Sequence, residues 1–410
     1  MRQNLALFEN EDVIYKKYLP QITTLQNKPI KINEWDIPYT ISELSYLVHS
    51  DYRYYGKFPS AVAGQILEQI LPPSPDHYVL DNFCGSGTTL IEAKLRGIKS
   101  YGVDISWLSV LASNVKARYI DTADVKKELF KLVTWFENNK ENFSSPEDAF
   151  VNKWFSPQAS RDLCAIQDYI LTMNSGAIRD FMLVAFIGII RRVSKAHDAE
   201  VRPHINKNKK ERDVISAFSK KISDMSADHA EFNLQTDKNL IADCFIADNT
   251  NLPKLLDDKK CYLVISHPPY LNSFNYAPVY SLEFYWGSPF EAEYTEEKKN
   301  FYKEEMKAHP ANEKITEEYF NHLDKCYRET YRIQPNGSTL AIVIGDCTRN
   351  GKLIPVIDQT IEIVENIGYR LEEVNYRTTH YGLGKYAYKH RADYHGTDNE
   401  KKDGILIFKK

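Results

Sequence analysis

The chain has few cysteines, and they lack the spacing that disulfide scaffolds and structural zinc sites require. Six cysteines are scattered over 410 residues, and no two of them form a CxxC pair. Small secreted domains and zinc-binding modules use closely spaced cysteines. The sequence therefore argues against both classes. We predict no metal site, and we expect the protein to work in a reducing compartment.

A membrane-spanning segment is also missing from the sequence. The longest apolar run covers residues 181–190, and Arg191 and Arg192 follow it directly. A helix that crosses a bilayer needs about 20 apolar residues. The first ten residues lack the apolar core of a signal peptide. We interpret the run as a buried helix and expect a cytoplasmic protein with no membrane partner.

An overall positive charge is absent as well, since the formal net charge is −4. Between residues 191 and 221, however, ten Lys and Arg residues face four acidic ones. Such a local bias suits contacts to phosphates, although a solvated loop is the alternative. The predicted contacts are Arg191, Arg192, Lys195, Arg202, Lys207, Lys209, Lys210 and Arg212. Residues 376–391 mix basic and aromatic residues, either for stacking and phosphate contact or as an exposed hairpin, and add Arg377, Lys385, Lys389 and Arg391.

A glycine-containing loop follows the short apolar strand that ends at Leu80. It reads Asp81-Asn-Phe-Cys-Gly-Ser-Gly-Thr-Thr89 and leads into a helix. The glycines allow close backbone approach to a ligand, and the helix directs amide groups toward anionic atoms. The loop lacks the Lys-Ser or Lys-Thr ending of phosphate loops, so a zwitterion such as the methionine part of S-adenosylmethionine fits better. Asp104 ends the next strand and is placed to bind a ribose. The alternative is a packing turn with Asp104 as a helix cap.

The order of strand, glycine turn, helix, strand and acid is typical of a doubly wound α/β fold. The strand signals stop over residues 122–235, where the pattern is helical, and resume at 244–248 and 261–265. We therefore predict three regions: an N-terminal extension (1–50), a catalytic domain (51–121 and 236–410) and a helical insert (122–235).

The segment Ser266-His-Pro-Pro-Tyr270 follows the apolar strand 261–265 and carries a second set of candidate functional residues. The two prolines remove amide donors, so the turn presents carbonyls and side chains. The neutral imidazole of His267 and the Pro268 carbonyl can accept hydrogen bonds from an exocyclic amino group. Tyr270 can stack on a base removed from a duplex. The alternative is a rigid turn with a core tyrosine.

Together, these segments resemble the amino-methylating DNA methyltransferases, which make N4-methylcytosine or N6-methyladenine. Residues 81–89 resemble the family's D-P-F-x-G-S-G-T-T loop, with Asn82 in place of proline. The resemblance implies a Rossmann-like class I fold, whose mostly parallel sheet has seven strands with the last reversed and carries a helical insert. It also implies S-adenosylmethionine as cofactor, with Asp104 at the ribose and Asp248 at the adenine. The implied cofactor residues are Lys57, Phe58, Pro59, Asp81, Phe83, Cys84, Gly85, Ser86, Gly87, Thr88, Thr89, Asp104, Ile105 and Asp248.

The family's catalytic motif is Asp, Asn or Ser followed by Pro-Pro-Tyr, so His267 departs from it. The implied catalytic residues are His267, Pro268, Pro269 and Tyr270, with Ser266 as the acceptor if the turn is shifted by one residue. Residues 271–276 resemble the flank of the serine form, which favours cytosine N4. If His267 is the acceptor, activity falls on acidification, because imidazolium cannot accept a hydrogen bond.

The function implied by this resemblance is site-specific methylation of a flipped base in double-stranded DNA, within restriction–modification or a larger defence system. A cognate restriction endonuclease or defence-system subunits are the implied partners, and the 122–235 insert is the candidate target-recognition region. Three alternatives stay open: N6-adenine methylation of DNA, methylation of RNA, and a non-catalytic regulator that binds S-adenosylmethionine or nucleic acid. The recognition sequence cannot be inferred from these residues.

Overall fold

One large sheet organises the computed structural model of the chain, which describes residues 23–25, 28–36, 39, 42–295, 304–350, 352–378 and 403–410. The strands are β1 (Thr23–Leu25), β2 (Lys28–Asp36), β3 (Tyr78–Asp81), β4 (Ser100–Asp104), β5 (Ala242–Ile246), β6 (Cys261–Ser266), β7 (Thr339–Gly345), β8 (Cys347–Arg349), β9 (Lys352–Ile354), β10 (Arg370–Thr378) and β11 (Asp403–Lys409).

Helices cover both faces of this sheet, as the α/β prediction requires. They are α1 (Ser60–Gln69), α2 (Thr88–Leu95), α3 (Trp107–Ala117), α4 (Thr122–Asn139), α5 (Ala149–Trp154), α6 (Pro157–Thr172), α7 (Ala177–Val193), α8 (Val214–Gln235), α9 (Tyr276–Val279), α10 (Ser281–Gly287), α11 (Glu291–Tyr294), α12 (Glu313–Ile333) and α13 (Val356–Ile367). Short 3₁₀ helices lie at Glu43–Ser45, Leu47–Ser50, Lys140–Asn142, Lys254–Leu256 and Ser288–Phe290.

Within the described residues, the main sheet has nine strands in the order β1-β2-β10-β11-β7-β6-β3-β4-β5. Strands β2 and β10 are parallel, and so are the neighbours from β7 to β5. Strand β11 runs antiparallel to both of its neighbours. The predicted Rossmann-like α/β fold, with a mostly parallel sheet and a reversed last strand, is confirmed.

The strand count is larger than the predicted seven. The seven predicted strands correspond to β3–β7, β10 and β11, and the N-terminal extension adds β1 and β2. Strand β2 pairs with β10 from Lys31 opposite Glu373 to Asp36 opposite Thr378. It thereby satisfies backbone groups that an exposed edge strand would leave unpaired. Its short, mixed sequence has no clear period, which is why the pairing could not be predicted.

The two chemical segments come from neighbouring strands. Strands β3 and β6 are buried at every position, as expected for apolar strands covered on both faces. They pair in parallel, with Asp81 opposite Ile265. The glycine loop and His267 therefore leave the same edge of the sheet, where ligands bind in open α/β folds.

Helices α4–α8 pack on this sheet domain through a shared core and do not enclose a separate one. The cluster contains Trp107 of α3, Phe186 of α7, Phe218 of α8 and Trp286 of α10. The apolar run 181–190 lies inside α7, and most of it is fully buried. Across the described ranges, we find no helix with the length and apolar character needed to cross a membrane.

Candidate active site

A cleft with an empty volume of about 870 Å³ lies at the carboxyl ends of β3, β4 and β6. The glycine loop forms one wall, and the residues after β6 form another. The predicted residues that line it are Phe58, Phe83, Cys84, Gly85, Ser86, Thr88, Asp104, Ile105, Asp248, His267 and Pro269. The structure thus brings the predicted cofactor and catalytic segments together in one cavity.

The glycine loop has a backbone that only glycine adopts easily. Gly85 and Gly87 have φ values of +52° and +79°, in the left-handed region. A Cβ atom on Gly85 would lie 3.0 Å from the ring of Tyr54, which also lines the cleft. Any side chain at position 85 would therefore crowd the Tyr54 ring.

Two side chains of helix α3 donate hydrogen bonds to the glycine loop, and neither was identified from the sequence. The Ser113 hydroxyl donates to the Gly85 carbonyl at 2.9 Å, and Lys116 Nζ donates to the Ser86 carbonyl at 2.6 Å. Burial lowers the pKa of Lys116 well below its usual range. Both contacts join residues about 30 positions apart in the chain, so no local pattern indicated them.

Asp81 lies behind the loop and does not line the cleft. One carboxylate oxygen accepts from the Phe83 amide at 3.0 Å, and the other accepts from Thr89 Oγ1 at 2.5 Å. Burial raises the pKa of Asp81 to about 7. Asp81 therefore acts on the loop conformation, whereas the family resemblance predicted contact with the methionine end of the cofactor.

Asp104 does line the cleft, at the end of β4. Its two oxygens accept from the amides of Gly85 and Ser106, each at 2.8 Å. Burial raises the pKa of Asp104 to about 6. Because each carboxylate oxygen can accept more than one hydrogen bond, lone pairs remain for the hydroxyl groups of a ligand.

Two buried polar atoms in the cleft have no hydrogen-bond partner among the described residues: Asn82 Oδ1 and Ser86 Oγ. The amide nitrogen of Asn82 donates to Thr330 Oγ1 at 3.2 Å, which directs the side chain. An unpaired buried polar group costs free energy unless a ligand satisfies it. An acceptor and a hydroxyl fit the ammonium and carboxylate of the methionine part of S-adenosylmethionine. Asn82, the departure from the family's proline, therefore contributes an acceptor to the cleft.

His322 and Asn249 join the predicted Asp248 in the wall of the cleft. His322 Nε2 lies 3.0 Å from Asn249 Oδ1, and Asn249 Nδ2 donates to the Asn82 carbonyl at 3.2 Å. Burial lowers the pKa of His322, and the nearby Asp248 carboxylate opposes this effect. Asn249 follows a predicted residue directly, but His322 lies on α12 and no sequence signal identified it.

The imidazole of His267 is held between two aromatic rings. It stacks on Phe58 with ring centroids 4.9 Å apart and an interplanar angle of 23°. Tyr270 packs edge-on against it at 5.3 Å. Pro269 lines the cleft, and its carbonyl accepts from the Tyr319 hydroxyl at 2.8 Å. Phe58 therefore orients a catalytic candidate in addition to lining the cofactor cleft.

Ser266 is not in the cleft. It is the last residue of β6 and is fully buried, and its hydroxyl lies 3.2 Å from the Tyr327 hydroxyl of α12. This placement contradicts the shifted-turn alternative in which Ser266 is the acceptor. Pro268, Tyr270, Lys57, Pro59, Gly87 and Thr89 are likewise not part of the cleft wall, although each adjoins a residue that is.

A stack of tyrosines forms the wall beside the glycine loop. The ring of Tyr54 lies 5.5 Å from Tyr276 and 5.8 Å from Tyr280, in both cases nearly parallel. Tyr54 and Tyr276 face the cleft. Tyr276 comes from the segment that resembles the serine form of the motif, and it lines the cleft, whereas Tyr270 does not.

The chain 304–311 closes one side of the cleft and is tied to the residues after His267. Glu305 accepts from the backbone amides of Tyr276 and Ala277 at 2.7 and 3.0 Å. Asn275 Nδ2 donates to the His309 carbonyl at 3.0 Å. These bonds connect the wall that carries Tyr276 to residues 304–306, which also line the cleft.

Two of the predicted phosphate contacts are internal. Arg191 is 5% exposed and donates to the Tyr55 hydroxyl and to the carbonyls of Glu200, Val201 and Val279. Lys209 Nζ donates to two backbone carbonyls and pairs with Asp198 at 2.7 Å. Both side chains stabilise the segment after α7, which contradicts their assignment to phosphate. Their charges look identical to those of exposed neighbours in the sequence.

The remaining basic candidates differ in exposure. Arg192, Lys195, Arg202, Lys207 and Lys210 are exposed, whereas Arg212 is half-buried and pairs with Asp198 at 3.0 Å. Arg377 belongs to β10, and Lys385, Lys389 and Arg391 lie outside the described residues. Over the same described ranges, no group of three or more His, Cys, Asp or Glu side chains is placed to hold a metal ion.

Comparison with known proteins connects this site to DNA methylation. The N6_N4_Mtase model of DNA methylases matches residues 8–114, which include the glycine loop and Asp104. Over this part of its length the chain is similar to DNA methylases. It is 24% identical over 225 residues to the Type II methyltransferase M.MvaI of Kocuria varians, covering 51% of this chain and 49% of that protein. It is 29% identical over 123 residues to the Type II methyltransferase M.MjaII of Methanocaldococcus jannaschii, covering 29% and 22%.

The matched region is therefore about half the length of the first relative and about a fifth of the second. Among solved structures, an rRNA methyltransferase from Streptomyces viridochromogenes aligns over 86% of both chains, with 10% identity and a TM-score of 0.30. A likeness at this level carries no functional argument.

Proposed function

We propose that the chain transfers a methyl group from S-adenosylmethionine to an exocyclic amino group of a flipped DNA base, and that this group is N4 of cytosine. One observation carries the proposal. A single cleft joins the glycine loop and Asp104 to His267 and Pro269. The DNA methylase match over residues 8–114 supports DNA as the substrate.

The cofactor would be held by the residues that line the cleft at successive positions. Asn82 and Ser86 offer unpaired atoms to the methionine part, Asp104 offers its carboxylate to the ribose, and Asp248, Asn249 and His322 surround the adenine end. When bound, S-adenosylmethionine supplies a methyl group on a positively charged sulfur. The Gly85 backbone and the Tyr54 ring shape the space between these groups.

His267 is the proposed catalytic residue. An amino group on a base is a poor nucleophile because its lone pair is delocalised into the ring. A ring nitrogen of neutral His267 accepts one amino hydrogen and so helps to localise the lone pair, with the Pro268 carbonyl as the second acceptor. Phe58 fixes the plane of the imidazole by stacking on it. The tyrosines Tyr54 and Tyr276 provide aromatic faces for a base in the cleft.

We assign target recognition to the helical insert 122–235, with phosphate contacts from its exposed residues Arg192, Lys195, Arg202, Lys207 and Lys210. All of these residues except Arg192 lie in the segment after α7. This segment lies next to the tyrosine wall, because Arg191 near the end of α7 donates a hydrogen bond to the Tyr55 hydroxyl. The Type II names of the two relatives support a restriction–modification role, with a cognate endonuclease as partner. The resemblance of residues 271–276 to the serine form of the motif supports cytosine N4 over adenine N6.

The test is a labelling experiment with tritiated S-adenosylmethionine, unmodified bacterial genomic DNA and, separately, total RNA. The nucleic acid is digested to nucleosides and the labelled nucleoside is identified. Label in N4-methylcytosine supports the proposal, and label in N6-methyladenine overturns the choice of base but not the class. Label only in RNA, or no label from protein that binds S-adenosylmethionine, overturns the assignment to DNA.

A pair of histidine variants makes the test specific for the site. His267→Ala removes the proposed acceptor, and we expect a loss of label of at least about 100-fold, the usual contribution of a positioned catalytic group. His77→Ala is the matched control, because His77 lies just before β3 and bonds to Ser74. The control variant should label DNA as the wild type does. Equal activity of both variants would remove His267 from the mechanism.

A further inference from the structure

A second cleft, with an empty volume of about 890 Å³, lies beside α7 and is lined by arginines. Its wall contains four arginines and only two acids, Asp198 and Glu283. The local balance is therefore +4 − 2 = +2, in a chain whose formal net charge is −4. A concave surface of one sign concentrates ligands of the opposite sign. The cleft therefore suits an anion.

The four arginines are not equally available to such an anion. Arg191 is buried and donates to internal carbonyls, and Arg212 pairs with Asp198 at 3.0 Å. Arg192 is exposed at the end of α7, and no partner for its guanidinium exists within the described part of the chain. Arg53 is also exposed; it donates one hydrogen bond to the Asp198 carbonyl and lies 4.7 Å above the Tyr55 ring. Arg192 and Arg53 therefore have N–H groups left for a ligand.

The rigid frame around these two arginines is built from the internal ones. Arg191 lies 5.5 Å from the centre of the Tyr55 ring and donates to its hydroxyl at 2.9 Å, so Tyr55 is contacted by both Arg53 and Arg191. Glu283 lies 3.6 Å from Arg191 and is almost fully buried. A guanidinium that rests on a fixed ring loses less freedom when it binds a ligand than a free surface side chain does.

The second cleft shares a wall with the proposed active site. Tyr280 lines the second cleft, and its ring lies 5.8 Å from Tyr54 and 6.4 Å from Tyr276, both of which line the first. The two cavities are thus separated by about one layer of aromatic rings. A DNA strand carries a phosphate for every 3.4 Å or so of helix axis. A strand that places one base in the first cleft therefore brings neighbouring phosphates to the second.

We propose that the second cleft binds a phosphodiester group of the strand that carries the target base, with Arg192 and Arg53 as its ligands. Guanidinium groups match the geometry of phosphate oxygens and form charge-assisted hydrogen bonds to them. This inference rests on the proposed function, since it assumes that the first cleft receives a base from DNA. It adds Arg53, which precedes the glycine loop in the chain, to the predicted phosphate contact Arg192.

The test measures the salt dependence of DNA binding by fluorescence anisotropy. A fluorescein-labelled, mixed-sequence duplex is titrated with protein in the presence of S-adenosylhomocysteine, over a series of NaCl concentrations. Each phosphate contact contributes about 0.9 to the slope of log K against log salt. Because the proposal places one phosphate in the cleft, we expect the Arg53→Gln/Arg192→Gln double variant to reduce the slope by about 0.9 and each single variant to reduce it by part of that amount.

The control is Lys254→Gln, which removes one exposed positive charge on the 3₁₀ helix Lys254–Leu256, outside both clefts and outside the 122–235 insert. It should keep the wild-type slope, and all variants should bind S-adenosylhomocysteine with wild-type affinity by calorimetry, which shows that they are folded. Arginine variants with the wild-type slope overturn the proposal for the cleft, even if the wild type methylates DNA. An equal loss of slope in Lys254→Gln would reduce the effect to net charge and overturn the proposal too. A wild-type protein that neither binds nor labels DNA overturns the proposed function itself.

Discussion

The buried carboxylate of Asp81 should make the free energy of unfolding depend on pH in a way that one substitution removes. Burial raises the pKa of Asp81 from 3.8 to about 7 in the folded protein. The folded state therefore binds this proton more tightly than the unfolded state does. The stabilisation from the bound proton is complete below pH 3.8 and is lost as the pH rises through about 7.

The size of this effect follows from the two pKa values, because each pKa unit corresponds to about 1.36 kcal/mol. Relative to low pH, the titration of Asp81 lowers the free energy of unfolding by about 4 kcal/mol at pH 8 and by about 2 kcal/mol at pH 5. Asp81→Asn does not titrate. Its carbonyl can still accept from the Phe83 amide, and its amide can donate to Thr89 Oγ1. We expect the variant to gain about 2–3 kcal/mol relative to wild type between pH 5 and pH 8.

Urea unfolding of the apo protein at the two pH values measures this gain. The matched control is Asp168→Asn, an exposed residue of α6 with no ligand contact in either cleft. Its difference from wild type should be the same at both pH values. If the Asp81→Asn difference were also independent of pH, burial would not dominate the titration of Asp81 and the reasoning would be refuted.

Three further changes probe the active-site cleft. Asp104→Asn places an amide donor against the Gly85 or Ser106 amide, so the calorimetric Kd for S-adenosylhomocysteine should rise about 10- to 100-fold; an unchanged Kd would contradict a ribose contact. Gly85→Ala combines a φ of +52° with a Cβ 3.0 Å from Tyr54, whereas Gly97→Ala has a φ of +70° and open space. Gly85→Ala should therefore lower Tm more, by several degrees. Wild-type methyl transfer should fall on acidification, because an imidazolium at His267 cannot accept the amino hydrogen; a flat profile would argue against His267 as acceptor.

The local backbone of the site could be predicted because its signals are local. Apolar runs predicted β3 and β6, and the glycine loop with Asp104 predicted a strand–turn–helix–strand unit. The positive φ values of Gly85 and Gly87 confirm that these positions need glycine. The reversed last strand that the family resemblance implied is present as β11, which runs antiparallel to β10 and β7.

The side chains that complete the cleft could not be predicted, because they come from distant parts of the chain. His322 reaches Asn249 across 73 positions, and Ser113 and Lys116 support the loop from the next helix. Ser266 and His267 are neighbours in sequence, yet Ser266 ends the fully buried strand β6, whereas His267, the first residue after the strand, lines the cleft. The exposure of charged side chains could not be predicted either, since Arg191 is buried and its neighbour Arg192 is exposed.

The order of residues was therefore sufficient to specify the fold class, the cofactor loop and the turn that carries His267. These features depend on hydrophobic pattern and on residues with restricted backbones, which act over a few positions. Packing alone decided that Asp81 lies behind the loop, that Tyr276 and not Tyr270 lines the cleft, and that Arg53 and Arg192 share a second cavity. Each of these outcomes depends on which face of one element meets another, and only the assembled sheet and helices specify that.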